Sequence, residues 1–198
     1  DKISSITDNK KTKDVDFGAL KNINDDVVGW LYSEGTSIDY PIVLGEDNKY
    51  YLTHLFNKKE NKLGSLFMDC CNKSDFSDKN TVIYGHHMLD NSMFGSLTNY
   101  EKQSYYDKFP TMILYTLKGN FTIEFFAGTI ENGDHQFVQF KFSDATDFLS
   151  YVNKLKDKST FKSNINVKSN DKIITLSTCS YVFDNARFAL YGKLVPLK

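Results

Sequence analysis

A mainly β fold, closed into a barrel or layered as a sandwich, is what this sequence predicts. Seven to eight strand-like runs follow one another without the regular β-α-β alternation of a doubly wound sheet. Aromatic residues make up 15% of the chain, with 12 Tyr and 16 Phe against 3 Pro, a composition suited to strands. With 198 residues and 40% apolar content, the chain can bury a real core in one domain, which excludes a disordered polymer. Its formal net charge of -1 provides no bulk attraction to nucleic acid or anionic membrane.

Each element has a local reason. Residues 1–14, DKISSITDNKKTKD, are polar and read as a loose or helical lead-in. From 17 to 31, Phe17, Leu20, Ile23, Val27, Val28 and Leu31 recur at helical spacing and Gly35 follows as a stop, predicting one amphipathic helix. Residues 1–35 then form an N-terminal helical segment outside the β domain, which occupies 36–198. TSIDYPIV (36–43) reads as an edge strand, because Pro41 cannot donate to a ladder. DNKYYLTHL (47–55) reads as a short helix capped by Asp47.

GSLFMD and NTVIYG are strands flanking the polar stretch 69–80, and NSMFGSLTNYEKQSYYDKF is irregular helix. Strands are expected at 111–117, 120–130 and 136–142; in NFTIEFF, Phe121, Ile123 and Phe125 alternate with Thr122 and Glu124, the period of a half-buried strand. SDATDFLSYVNKLKD (143–157) opens on Ser143 and aligns Phe148, Leu149, Val152 and Leu155 on one face, so it is a helix. Two strands, 171–178 and 187–195, end the chain.

No run approaches the roughly 18 apolar residues of a membrane span, so this piece is expected to be soluble. A start at Asp1 without Met points to a segment trimmed from a chain that carried a signal or anchor. Of the 3 Cys, Cys70 and Cys71 are adjacent, a spacing that strains an intramolecular bridge. No His or Cys stands two to four residues away from them, so neither a zinc site nor a cofactor is expected there.

Cys179 is different: it is isolated at the end of the strand-like run DKIITLSTCS. It is either core packing or a nucleophile, and a nucleophilic thiol needs a base or a positive neighbour to hold its thiolate. Of the four His, His54 lies in an apolar helix and His135 in a Gly-Asp turn, whereas His86 and His87 directly follow a strand and a glycine. The chain has 24 basic residues, and its only Arg is Arg187, eight positions after Cys179. A planar, permanently charged fork beside the isolated thiol can hold a developing oxyanion with two directed donors, which Lys cannot reproduce. The bland readings are a buried Cys, a surface His pair and an Arg paired with Asp184.

These residues carry a resemblance. TLSTC (175–179) resembles the TLxTC signature of sortases, VIYGHH resembles their catalytic-His strand, and Arg187 falls where the sortase Arg follows the Cys. DNKYYLTHLF, GSLFMD and YGHHMLDNSMFGSL make the chain look like class B. Ser180 follows the Cys where many class B members carry an acidic residue, and the spacing to Arg187 is slightly shorter.

The resemblance implies a closed sortase-type β-barrel of seven to eight strands, with N-terminal helices and a long helix before the Cys strand. It implies a transpeptidase on the outer face of a Gram-positive membrane, held by an anchor absent from this chain. Its partners would be secreted proteins bearing a C-terminal xPxTx sorting signal and a peptidoglycan amine. By residue matching, Cys179 is the nucleophile, His86 the acid and base, and Arg187 the oxyanion holder. His86 is preferred to His87 because it directly follows the Gly and because two adjacent strand residues face opposite ways. Tyr84 and Ser177, each two residues before a catalytic neighbour, and Asn48 and Leu52, an i, i+4 pair, would contact the signal. Three rivals remain: a cysteine peptidase using the same intermediate, a β-barrel binding module with Cys179 merely buried, and a metal site of His86, His87 and Asp90.

Overall fold

The computed structural model describes residues 13–133, 136–179 and 184–197. Among them, eight strands close into a barrel: β1 (Val27–Tyr32), β2 (Asp39–Val43), β3 (Leu66–Met68), β4 (Asn80–Tyr84), β5 (Thr111–Thr116), β6 (Phe121–Asn132), β7 (Ile173–Cys179) and β8 (Ala186–Pro196). The order around the barrel is β1-β2-β3-β4-β7-β8-β6-β5, and β5 closes back on β1. Pairing is parallel at β2 with β3 and at β4 with β7, and antiparallel elsewhere. The expected mainly β barrel is therefore present, and α1 (Phe17–Ile23), α2 (Gln103–Lys108) and α3 (Ala145–Asp157) accompany it.

Strand alternation divides most of the buried apolar residues between an inner and an outer cluster, with a third, smaller one of Val43, Tyr51 and Phe67. Leu31, Ile42, Leu66, Ile83, Leu176 and Leu190 belong to the barrel interior. Between β6 and β7 the chain forms α3, which covers part of the outside. Its Phe148, Tyr151, Val152 and Leu155 pack on Ala127, Ile173, Ala189 and Tyr191. Burying side chains of this size contributes about 1.5–3 kcal/mol each, which is what fastens the helix to the barrel.

The predicted helix over 17–31 is corrected. The seven-residue α1 stops at Asn24, and Val27–Tyr32 is β1, lying within the segment expected to be helical. The reason is a buried polar side chain. Asn24, 2% exposed, donates from Nδ2 to Tyr51 Oη and to the Phe56 carbonyl, both 2.8 Å, and accepts from the Asp26 N–H. That network holds Asn24 extended, and the β-branched Val27 and Val28 continue as strand.

Pro41 does not mark an edge, because β2 lies inside the closed barrel. Pro41 pairs with Trp30 of β1, while pairing with β3 begins one residue later, at Ile42. The missing N–H thus falls where β2 has one neighbour only. The helix expected over 47–55 is a single 3₁₀ turn, Tyr50–Leu52, whose N-cap is Lys49 and not the expected Asp47, although Asp47 accepts from the Lys49 and Tyr50 N–H groups.

Within residues 91–109, a 3₁₀ segment is followed by α2. Residues 136–142 are not a strand. Side-chain hydrogen bonds tie the segment instead, with Asn80 Nδ2 donating to the Gln139 carbonyl and Gln139 Nε2 to the Asp147 carboxylate. Asp144, not Ser143, caps α3, accepting from the Asp147 N–H while the Ser143 N–H donates back to Asp147.

Candidate active site

Three strand ends meet at one rim of the barrel. The parallel pairing of β4 and β7 sets Tyr84 beside Ser177, and the antiparallel pairing of β7 and β8 sets Cys179 beside Arg187. A cleft of about 360 Å³ opens there, and Asn48, Leu52, Tyr84, His86, Ser177 and Arg187 all line it. The cleft therefore gathers every predicted site residue except Cys179, whose side chain lies outside the described atoms. The backbone of Cys179 ends β7, two residues beyond Ser177 and in register with Arg187.

His86 sits just past the end of β4, not within it, so strand alternation is not what separates it from His87. Gly85 makes the exit possible. Its N–H donates to the Ser177 carbonyl, and a Cβ there would stand 2.4 Å from Leu66 Cδ2 and 2.7 Å from the Phe94 ring. The imidazole lies against the 3₁₀ turn, with Nε2 2.6 Å from the Leu52 carbonyl oxygen. A carbonyl can only accept, so Nε2 carries the proton and Nδ1 is the nitrogen left to exchange one. A neutral backbone acceptor therefore orients this ring where other cysteine enzymes use a side chain.

Asn48 and Tyr84 are joined through a residue the sequence reading passed over. Asp69, 4% exposed, accepts from Asn48 Nδ2 at 3.0 Å and from the Tyr84 hydroxyl at 2.9 Å, both through Oδ2. Burial and the Asp69 charge raise the Tyr84 phenol well above its ordinary value, so it remains a hydrogen-bond donor. Asn48 precedes the 3₁₀ turn and is not the helical i, i+4 partner of Leu52, although both reach the cleft. Asp69 follows a strand directly, the one signal by which sequence could have found it.

Arg187 is confined by Gly133. A Cβ on that glycine would lie 2.8 Å from the Asn185 carbonyl oxygen and 3.2 Å from Arg187 Cζ, so only glycine lets the loop close over the guanidinium. Arg187 Nη1 donates to the Ala186 carbonyl at 3.1 Å. Gln136, Phe137, Val138 and Phe140 complete the opposite wall. The strand expected over 136–142 gives no hint of this contribution.

The other histidines fall into place. His54 stacks on Tyr50 with ring centroids 3.9 Å apart, and His135 lies outside the described residues. His87 Nε2 lies 3.2 Å from Thr98 Oγ1, and Asp90 turns to the Ser92 N–H and hydroxyl. His86, His87 and Asp90 thus do not converge on one ion.

Burial lowers the His87 pKa below its ordinary 6.5. The unfolded chain then binds a proton that the folded chain refuses, so stability falls as pH drops from 6.5 toward the folded value. Thermal unfolding between about pH 7.5 and about pH 5.5 should therefore decline less steeply in His87→Gln than in the unaltered protein. Equal declines would show that His87 does not titrate with folding.

No family model matches the chain. Among curated proteins it is 40% identical over 178 residues to sortase B of Listeria monocytogenes, spanning 89% of this chain and 72% of that one. Among solved structures, Clostridium perfringens sortase B superposes with a TM-score of 0.85 at 38% identity, covering 90% of this chain and 98% of that one. Staphylococcus aureus sortase B in a substrate complex superposes with a TM-score of 0.87 at 33% identity, covering 92% and 85%. A sortase B has also been solved in complex with triglycine, at a TM-score of 0.86 and 33% identity over 92% and 86%.

Proposed function

Since the chain belongs to the sortase B family and is a sortase-type cysteine transpeptidase, we propose that it cleaves an xPxTx sorting signal after Thr and transfers the protein to a peptidoglycan amine. The observation that carries the reading is the convergence of His86, Arg187 and Ser177 on the cleft at the end of β7, the strand that Cys179 closes.

The Cys179 thiolate attacks the Thr carbonyl carbon, and the oxygen takes up the charge. Arg187 presents its paired N–H donors to that oxyanion. The C–N bond breaks, and His86 gives its proton through Nδ1 to the departing amine while Nε2–H stays on the Leu52 carbonyl. The thioacyl-enzyme is then attacked by an incoming amine, whose proton returns to His86 as the Cys179 sulfur leaves. Asn48, Leu52, Tyr84 and Ser177 hold the signal along the cleft floor.

The sortase B complexes with substrate and with triglycine support a peptide donor and an amine acceptor. The place of action in this reading is the outer face of a Gram-positive membrane, and among the described residues no helix is long and apolar enough to cross one.

Incubating the protein with a panel of xPxTx peptides and triglycine, followed by mass spectrometry, tests this. The expected product is the peptide cut after Thr and joined to triglycine. A product ending in a free carboxylate despite excess amine would instead make the protein a cysteine peptidase.

A further inference from the structure

A second cluster of ligating atoms follows β3, and the proposed transpeptidation uses neither of its thiols. Asp69, Cys70 and Cys71 each offer one ligand atom, a carboxylate oxygen and two sulfurs, and all three lie within 4.8 Å of one another. Both thiols are free and exposed, whereas Asp69 is buried. The Asp69 carboxylate is pinned from three sides: Oδ2 by Asn48 and Tyr84, and Oδ1 by the Cys71 N–H at 2.8 Å. Asn48 also fixes the neighbouring backbone, its Oδ1 accepting from the Cys70 N–H at 2.8 Å. The carboxylate and both backbone positions are thus preset, and only two short thiol side chains need ordering when a ligand arrives.

We propose that Asp69, Cys70 and Cys71 form a binding site for a thiophilic divalent cation of the zinc and cadmium class, at the back of the cleft wall. Two sulfurs in the donor set select soft or borderline metals over calcium and magnesium, which take oxygen shells. Metal–sulfur bonds of about 2.3 Å require donor atoms roughly 3.8 Å apart in a tetrahedron, and the three ligand atoms already lie within 4.8 Å of one another. Each thiol gives its proton to solvent as it coordinates, and water fills the fourth position. Asn48 and Tyr84 take the part of supporting partners that orient a ligating carboxylate. His and Cys spacing alone does not reveal this set, because the third donor is the Asp next to the pair.

The test uses the Cys179→Ala protein, reduced and titrated with cadmium chloride. The chain has 3 Cys, so the only thiols left are Cys70 and Cys71, and any ultraviolet thiolate-to-cadmium charge-transfer band reports on them. The expected result is a band that saturates at one cadmium per chain, with native mass spectrometry detecting monomer plus one ion. In the same background Cys70→Ser/Cys71→Ser should lose the band, and Asp69→Asn should weaken binding about tenfold or more. No band, one ion shared by two chains, or undiminished binding by Asp69→Asn would overturn the site. Because none of these readouts involves turnover, they are independent of the proposed transpeptidation.

Discussion

Cys179→Ala is expected to form no adduct with any sorting peptide and to lose product formation by about 10⁴-fold or more. The preceding hydroxyls offer no substitute, since Ser177 and Thr178 are each only 3% exposed and an alcohol without an adjacent base is a far weaker nucleophile. The two remaining thiols sit beyond the Asp69 carboxylate, on the loop after β3. Folding should be untouched, because the position ends its strand and the change removes one sulfur atom, so unfolding temperature should stay close to that of the unaltered protein. Intact-mass spectrometry after incubation with peptide decides the matter. An adduct persisting on the variant would move the nucleophile elsewhere.

Arg187→Lys is expected to lower kcat/KM for the sorting peptide by about 10²–10³-fold although the positive charge is retained. The strand register puts residue 187 opposite the proposed nucleophile, and Gly133, where a Cβ would stand 2.8 Å from the Asn185 carbonyl oxygen and 3.2 Å from Arg187 Cζ, lets the loop close over the guanidinium. That fit suits a planar fork, one arm of which is engaged by the Ala186 carbonyl. A lysine ammonium is a point charge on a flexible stem and cannot present two parallel donors to one oxygen. The deficit should fall mainly on kcat, because the oxyanion exists only along the reaction path. Rates of thioacyl formation measured at saturating peptide give the answer, and a loss under about threefold would mean that charge alone suffices.

Much of this was legible in the sequence because it rests on local chemistry. The alternation in Phe121 to Phe125 and the apolar face of Phe148 to Leu155 state the strand and the helix directly, and both are present. The strand-end thiol, the His after Gly85 and the single Arg can be picked out because each is unusual for its surroundings. Failures came where tertiary partners outweighed periodicity. Val27, Val28 and Leu31 fit a helical repeat as well as a strand, and only the Asn24 contacts to Tyr51 and Phe56 decide between them. Residues 136–142 alternate like a strand yet find side-chain partners in place of a ladder. The orienting group for His86 is a main-chain carbonyl, which no residue type can advertise.

The topology also determines when the cleft comes into being. β4 lies against β7 although β5, β6 and α3 intervene along the chain, and the 3₁₀ turn that holds His86 belongs to a segment preceding them all. Closing such loops is entropically costly before the contacts they bring reward it, so this barrel belongs among slow folders governed by high contact order. Synthesis from the N-terminus completes the His86 side long before β7 and β8 emerge, leaving β4 unpaired along one edge in the interval. On the proposed assignment, a chain cut short before β8 lacks Arg187 and is expected to yield no transfer product, because the strands of Cys179 and Arg187 are the last two elements. The cleft in this fold is thus completed at a single late step, when β7 and β8 join the His86 side of the barrel.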